Sequence, residues 1–171
     1  MKRILTIAVM LITGFSMQVQ AEDLKLWGTS ASPYVRKVMN VLDYKQVSYS
    51  QEEILPVVLL KATNQEIPTD FQKASPLGKI PAISLGDSTI TDSAVITAYL
   101  EHKYPDNSIY PKDDLLYADA LWLEKYSDTV MSEAVHSIFV ERVVKPVVLG
   151  EESDEILVAQ IEETKLPQVL S

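Results

Sequence analysis

Residues 32–38 read SPYVRKV and mark the point where a short strand ends and a helix begins. They follow an apolar run at residues 24–27 and a polar turn at residues 28–31. Apolar residues continue at positions 35, 38, 39 and 42, a spacing typical of one face of an α-helix. Ser32 takes the N-cap position and Pro33 the first helical position, where a missing N–H breaks no hydrogen bond. The stretch therefore predicts a hydroxyl group at the positive end of a helix, where an anion such as a thiolate is stabilised.

The first 21 residues have the pattern of an export signal. Lys2 and Arg3 give a positive start, residues 4–15 are uncharged and mostly apolar, and the segment ends in Val19-Gln20-Ala21. The apolar run is shorter than the roughly 20 residues that a spanning helix needs, and its small terminal residues are typical of a cleavage site. We predict a signal peptide at residues 1–21, cleavage after Ala21, and a periplasmic or secreted protein without a membrane partner; retention as an anchor is the alternative.

The composition is that of an acidic globular protein. The 171 residues are 47% hydrophobic and 23% charged, and the formal net charge is −9. An acidic chain without a basic patch is unsuited to binding nucleic acid or anionic membranes. The absence of Cys excludes disulfides, a thiol nucleophile and a Cys-based metal site, so any thiolate must come from a ligand. His102 and His136 lack neighbours with metal-ligand spacing, and we predict no metal.

The predicted elements follow the order β-α-β, then β-β-α, then helices alone. Strands are predicted at 24–27, 47–54, 80–85 and 88–91, and helices at 32–42, 69–74 and 92–104. The rest of 55–79, which contains three prolines, is predicted to be irregular. After a linker at 105–112, residues 113–144 predict one long or broken helix, Pro146 interrupts it, and Ser153 caps a final helix. The predicted domains are 22–105 and 106–171.

Three stretches within residues 24–104 resemble the glutathione transferase family. Residues 32–38 resemble the start of the active-site helix in its serine-type classes. Residues 71–83, FQKASPLGKIPAI, resemble the run from the second helix into the proline loop, and residues 92–100, DSAVITAYL, resemble the start of the third helix. The stretches occur in the family's order and spacing. The resemblance implies an α/β fold, with a thioredoxin-like βαβ-ββα domain at 22–105 followed by a shortened all-α domain at 106–171.

The resemblance also implies roles for individual residues in binding glutathione. The Ser32 hydroxyl would donate a hydrogen bond to the sulfur, with Ser30 as the alternative donor and a simple N-cap as the plainer role. Pro81 would be a cis-proline, which leaves the backbone of Ile80 to pair with the cysteinyl backbone of glutathione; an edge-strand proline is the plainer alternative. Val35 stands where redox relatives carry a second Cys, so dithiol exchange is excluded.

Three further residues complete the predicted glutathione site. Ser93 and free backbone N–H groups at a helix start would hold a ligand carboxylate. Asp92 would face the ligand's ammonium group, and Lys79 would pair with a carboxylate. The plainer alternatives are an ordinary pair of capping residues and a solvated surface lysine.

These implications together predict a glutathione transferase in which Ser32 activates the thiol of its co-substrate, glutathione, for attack on a small electrophile. The predicted assembly is a homodimer. The alternative is a non-catalytic glutathione-binding or chaperone-like module with an incomplete second substrate site, and a third possibility is a truncated product without activity. Trp122 and Tyr126 are expected to pack in the core, with lining of a substrate pocket as the alternative. Arg36 and Lys37 are expected to face solvent or a subunit interface.

Overall fold

A four-stranded mixed sheet forms the centre of the N-terminal half. The computed structural model describes residues 24–170, so the predicted signal peptide and its cleavage site lie outside the described residues. The strands are β1 (Leu24–Trp27), β2 (Ser50–Glu52), β3 (Ala82–Leu85) and β4 (Ser88–Thr91), in the order β2-β1-β3-β4. β1 runs parallel to β2 and antiparallel to β3, which pairs antiparallel with β4. The thioredoxin-like fold predicted from the sequence is confirmed.

Four helices accompany the sheet and four more follow it. The first set is α1 (Pro33–Tyr44), α2 (Val57–Ala62), α3 (Thr69–Ala74) and α4 (Ser93–Lys103). The second set is α5 (Asp114–Tyr126), α6 (Ser132–Phe139), α7 (Glu155–Thr164) and α8 (Leu166–Leu170). Two π-helical segments, Ser127–Met131 and Val140–Leu149, flank α6 without a break in the helical path. The helical continuation agrees with the predicted all-α region.

Several predicted boundaries are wrong for identifiable physical reasons. Helix α2 lies in a region predicted to be irregular; the burial of Leu60 and a hydrogen bond from the Val57 N–H to the Gly78 carbonyl (2.8 Å) stabilise it. Strand β2 is shorter than predicted because Val47 still belongs to the turn that ends α1, with its N–H bonded to Leu42. Pro146 lies inside the second π-helical segment instead of ending the helix.

The core has two parts, one on each face of the sheet. On one face, α1 and α4 cover alternate residues of β1, Leu24 and Leu26, which are fully buried. On the other face, Trp27 packs against Phe71 of α3, with ring centroids 5.9 Å apart. Because successive strand residues point to opposite faces, this alternation fixes which side of the sheet each helix covers.

Helix α5 has a different environment from the helices of the N-terminal half. None of its residues is buried within the described chain, and Leu115, Leu116 and Leu123 are exposed. Trp122 is 62% exposed and stacks on Tyr126 at a centroid distance of 5.2 Å. The expectation that Trp122 packs in the core is therefore wrong. An exposed apolar helix face of this size is typical of an interaction surface.

A polar network joins the two halves of the molecule. The side chain of Lys45, at the C-terminal end of α1, is fully buried, and its Nζ lies 2.6 Å from Glu101 Oε2. Glu101 in turn accepts from Ser108, and the Tyr110 hydroxyl donates to Glu124 Oε2 at 2.7 Å. Burial alone would raise the pKa of Glu101, but its bonds to Lys45, Ser108 and the Ile109 N–H outweigh burial and lower it. Burial and the neighbouring Glu124 raise the pKa of Tyr110.

Residues 24–170 offer neither a membrane-crossing helix nor a cluster of metal ligands. No helix in that range has the length and apolar content needed to cross a membrane. No group of three or more His, Asp or Glu side chains in the same range is arranged to hold a metal ion.

Candidate functional site

The strand registers bring three predicted site segments to one end of the sheet. Trp27, the last residue of β1, pairs with Ala82, the first residue of β3. Ala82 also pairs with Thr91, the last residue of β4. Three segments therefore lie at the same end of the sheet: the β1–α1 loop, the Ile80–Pro81 step and the start of α4. Up to about 60 residues separate them along the chain.

Gly28 brings the first two of these segments into contact. Its φ of +139° lies in a region that residues with side chains rarely adopt. A Cβ atom at this position would meet Val35 Cγ2 at 2.5 Å and Ile80 Cβ at 3.1 Å. Gly28 also donates its N–H to the Glu52 carbonyl at 3.0 Å and accepts from Gln51 Nε2 at 2.9 Å. The loop before Ser32 is thus fixed between β2 and the residue before Pro81.

Ser32 lies at the N-cap of α1 as predicted, but its side chain makes no capping hydrogen bond. Its N–H donates to the Thr29 carbonyl and its carbonyl accepts from the Arg36 N–H, both at 3.0 Å. The residue is half-buried, whereas Ser30 is exposed. The backbone N–H of Ser30 donates to the Glu53 carboxylate at 3.2 Å. The Ser32 hydroxyl is therefore not used to cap its own helix.

The Ile80–Pro81 peptide bond is cis, as the family resemblance implies. Pro81 is buried, and Ile80 packs against both parts of the core just before the paired part of β3. Lys79 is exposed, and its carbonyl accepts a hydrogen bond from the buried Ser75 hydroxyl at 2.6 Å. The lysine ammonium group is thus at the surface, while its backbone is held by the preceding turn.

Asp92 and Ser93 begin α4, and the structure gives them different tasks. Asp92 has a φ of +74°, and its Oδ1 accepts from the N–H groups of Ala94 (2.9 Å) and Val95 (3.2 Å). Asp92 is therefore a genuine N-cap, and two of the N–H groups expected to receive a ligand carboxylate are already occupied. Ser93 is buried at the same helix end, beside the cap.

Two side chains that no sequence signal singles out, Gln51 and Glu53, support the β1–α1 loop. Glu53 accepts from the Ser30 N–H, and Gln51 Nε2 bonds both the Gly28 carbonyl and Glu53 Oε1. A cleft of about 400 Å³ borders this loop at Thr29 and is lined by Glu52, Glu53 and Glu66 among others. A separate cleft of about 450 Å³, between α4 and the 105–112 linker, contains none of the predicted site residues.

Lys37 is expected to face solvent or a subunit interface, but its side chain lies against the helical region of its own chain. Its Nζ lies 2.7 Å from both Glu124 Oε1 and Asp128 Oδ2, and all three side chains are mostly buried. Burial acts to lower the pKa of Lys37, but the hydrogen bonds to Asp128 and Glu124 outweigh burial and raise it. Tyr34, on the same helix, donates its hydroxyl to Ser132 Oγ at 2.7 Å. No local signal reveals these partners, which are about 90 residues away along the chain.

Comparisons with known proteins agree with this geometry. The family model described as "Glutathione S-transferase, N-terminal domain" matches residues 26–108. A glutathione S-transferase from Hyoscyamus muticus is 33% identical over 153 residues, which cover 86% of this chain and 67% of that protein. Glutathione S-transferase Z1 from Arabidopsis thaliana is 38% identical over 92 residues, or 54% of this chain.

The comparison of structures extends the similarity beyond the matched N-terminal part. Glutathione transferase F7 from Populus trichocarpa superposes with a TM-score of 0.70 at 24% identity, over 86% of this chain and 67% of that one. At this identity the similarity shows a common fold. The chain spans about two-fifths of the length of the Arabidopsis Z1 protein, of which the alignment covers 39%.

Proposed function

Because the chain belongs to the glutathione S-transferase family, we propose that it is a glutathione transferase in which Ser32 stabilises the thiolate of bound glutathione. The observation that supports this proposal is that three segments lie together at one end of the sheet: the Ser32 helix start, the Ile80–Pro81 step and the Asp92–Ser93 cap. Each segment is a common local feature by itself. Their combination would supply the hydroxyls of Ser32 and Ser93, an extended backbone segment and the Asp92 carboxylate to one tripeptide-sized ligand.

The proposed chemistry is activation of a thiol that is mostly protonated at neutral pH. A free thiol has a pKa of about 8.5, so only about 3% is thiolate at pH 7. A hydrogen bond from the Ser32 hydroxyl and the positive end of α1 both favour the charged form. Lowering the thiol pKa by about two units requires the site to stabilise the thiolate over the thiol by about 2.7 kcal/mol, and it makes thiolate the major form at pH 7. The thiol proton leaves to solvent, and a sulfur lone pair then forms a bond to a carbon atom of the electrophile. With a chlorinated nitroaromatic compound the carbon–chlorine bond breaks, and chloride leaves to solvent with the bonding electron pair.

The remaining predicted residues would hold the rest of glutathione. Ile80 would pair its backbone N–H and carbonyl with the cysteinyl unit, in the manner of an added strand. Ser93 would donate to the γ-glutamyl carboxylate. Asp92 uses Oδ1 as a cap, so Oδ2 would face the ligand's ammonium group. Lys79 is exposed and would pair with a carboxylate at the rim of the site.

The exposed face of α5 supports a homodimer as part of the proposal. Leu115, Leu116 and Leu123 are each more than half exposed on a helix without a buried residue in the described chain. A Leu116→Asp substitution is expected to shift the protein to monomer in sedimentation equilibrium. Val147→Asp, at a more exposed residue of the second π-helical segment, is the control. A monomeric wild-type protein would refute this part of the proposal.

Export is a separate part of the proposal, supported by the sequence of residues 1–21 alone. N-terminal sequencing of the protein recovered from its native host is expected to begin at Glu22. An intact N-terminus in the cytoplasmic fraction would contradict export without affecting the proposed chemistry.

Turnover and binding together test the transferase proposal. The purified protein is expected to conjugate glutathione to a chlorinated nitroaromatic compound and to bind glutathione in calorimetry. Ser32→Ala should lower turnover at least tenfold with binding retained, while Ser30→Ala serves as the matched control. Binding without turnover would favour the non-catalytic glutathione-binding module, and a loss confined to Ser30→Ala would move the donor role to Ser30.

A further inference from the structure

Two side chains from the first half of α1 contact the helical region directly. Tyr34 donates its hydroxyl to Ser132 Oγ at 2.7 Å. Lys37 Nζ donates to Asp128 Oδ2 and forms an ion pair with Glu124 Oε1, each at 2.7 Å. We call these five residues the α1 clamp. The Lys37 ion pairs are mostly buried, so they are less screened by water than surface pairs are.

The partners of the clamp lie along one helical path that contains a π-helical segment. Glu124 is in the last turn of α5, Asp128 is in the segment Ser127–Met131, and Ser132 begins α6. These three residues are spaced four apart, and in a regular α-helix side chains eight residues apart point in directions that differ by roughly 80° about the helix axis. The wider π turn reduces this rotation, so all three side chains face α1. Single π turns inside helices are frequent at functional sites.

The clamp also orients its own acceptor. The Ser132 hydroxyl donates to the Asp128 carbonyl at 3.1 Å, so its lone pairs are available to accept from Tyr34. The backbone N–H of Ser132 bonds the Ser127 carbonyl five residues back, which leaves the Asp128 carbonyl accessible to the hydroxyl. The π-helical segment thus supplies both the position and the direction of the Tyr34 partner.

The N-terminal end of α1 needs such support because it lacks the usual side-chain cap. Ser32 makes no capping hydrogen bond, and an uncapped first turn tends to fray. Tyr34 and Lys37 are two and five residues after Ser32, within the first two turns. They fix the helix from its side, so its first turn does not depend on the Ser32 hydroxyl.

From this arrangement we propose that Tyr34 and Lys37 are positioning residues, which hold the start of α1 against the π-helical segment and so leave the Ser32 hydroxyl free for the ligand's sulfur. The proposal rests on the proposed function for the identity of that ligand. The fixing of the helix start is independent of it. Neither residue needs to touch glutathione, and the effect of each passes through the position of Ser32.

Amide hydrogen exchange tests the fixing of the helix start without any ligand. Tyr34→Phe should raise the exchange of the Ser32 and Arg36 amides about fivefold, the loss expected for one hydrogen bond. Lys37→Met should raise it by more, because two mostly buried carboxylates lose their cation. The Val47 amide, at the other end of α1, should exchange at its wild-type rate. A uniform increase along α1, or no increase at the first turn, would overturn the proposal.

A substitution outside α1 provides the matched control and covers the case in which an α1 variant fails to fold. Ser132→Ala removes the acceptor of the Tyr34 hydroxyl together with the bond from Ser132 to the Asp128 carbonyl of its own helical path, and it is expected to reproduce the local effect of Tyr34→Phe. Ser137→Ala, on the same helix, removes a hydroxyl that bonds its own helix at Glu133 without reaching α1. If both serine variants behave alike, the Tyr34–Ser132 bond does not position the helix start.

The second readout is the thiol pKa of bound glutathione, which is measured from the ultraviolet absorbance of the thiolate. Tyr34→Phe and Ser132→Ala should raise that pKa and lower kcat with a smaller effect on KM, because the sulfur loses a well-placed donor. Ser137→Ala should leave the thiol pKa at the wild-type value. An unchanged pKa in the first two variants would overturn the positioning role. Wild-type protein that binds no glutathione would refute the proposed function instead, and the exchange measurements would still decide the role of the clamp.

Discussion

Gly28 provides a prediction whose magnitude follows from the structure. Replacing it with Ala places a Cβ 2.5 Å from Val35 Cγ2 and 3.1 Å from Ile80 Cβ, at a φ of +139°. Val35 is fully buried, so its side chain has no room to move away. Backbone strain of this kind costs about 1–3 kcal/mol, and overpacking a tight site costs about 1–3 kcal/mol more. We expect the free energy of unfolding to fall by about 2–6 kcal/mol.

Gly86→Ala separates the steric effect from the backbone effect. Gly86 has a φ of +57°, and a Cβ added there would meet no atom within 4 Å, so only left-handed strain of about 1–2 kcal/mol applies. Both substitutions lower the entropy of the unfolded chain equally. Urea unfolding followed by tryptophan fluorescence measures each loss. A Gly28→Ala variant no less stable than Gly86→Ala would refute the close packing of the β1–α1 loop against Ile80.

Two further predictions concern the buried pair of Lys45 and Glu101. Lys45→Met leaves the Glu101 carboxylate unpaired and is expected to lower the free energy of unfolding by about 3 kcal/mol in urea unfolding. The control is Lys73→Met, in an exposed pair 3.9 Å from Asp70, which should change the free energy of unfolding by less than about 0.5 kcal/mol. Equal losses in the two variants would contradict the burial of Lys45. Because the pKa of Glu101 is lowered in the folded state, its contribution is present above about pH 4.3 and is lost as pH falls through the lowered pKa. Glu101→Gln should therefore be less stable near neutral pH and lose less stability than wild type on acidification, and parallel pH curves for the two proteins would contradict this assignment.

The N-terminal elements follow from local sequence because their signals are local. Helix α3 has the predicted bounds, and the hairpin at Gly86-Asp87 and the cap at Asp92 come from turn and capping chemistry that acts over a few residues. The cis bond at Pro81 required the resemblance to a family, because nothing local distinguishes it from an edge-strand proline.

The features that the sequence did not predict depend on distant partners. Helix α2 is stabilised by Gly78 and by the burial of Leu60, and hydropathy within the helix does not reveal either contact. Lys37 belongs to the basic pair Arg36-Lys37, which is typical of a solvent-exposed helix face, and its carboxylate partners lie about 90 residues later in the chain. Trp122 has the spacing of a core residue, but it is 62% exposed, and no described element covers that part of α5. Periodicity predicts which face is apolar and cannot identify what packs against it.

The ionisation of the bound thiol tests the central claim most directly. Ultraviolet titration of the glutathione complex is expected to give a thiol pKa well below the usual value of about 8.5 in the wild-type protein. In Ser32→Ala the pKa should return towards that value with glutathione still bound, while Ser30→Ala should match wild type. A thiol pKa near 8.5 in the wild-type complex, or one unaffected by Ser32→Ala, would contradict thiolate stabilisation by the hydroxyl at the start of α1.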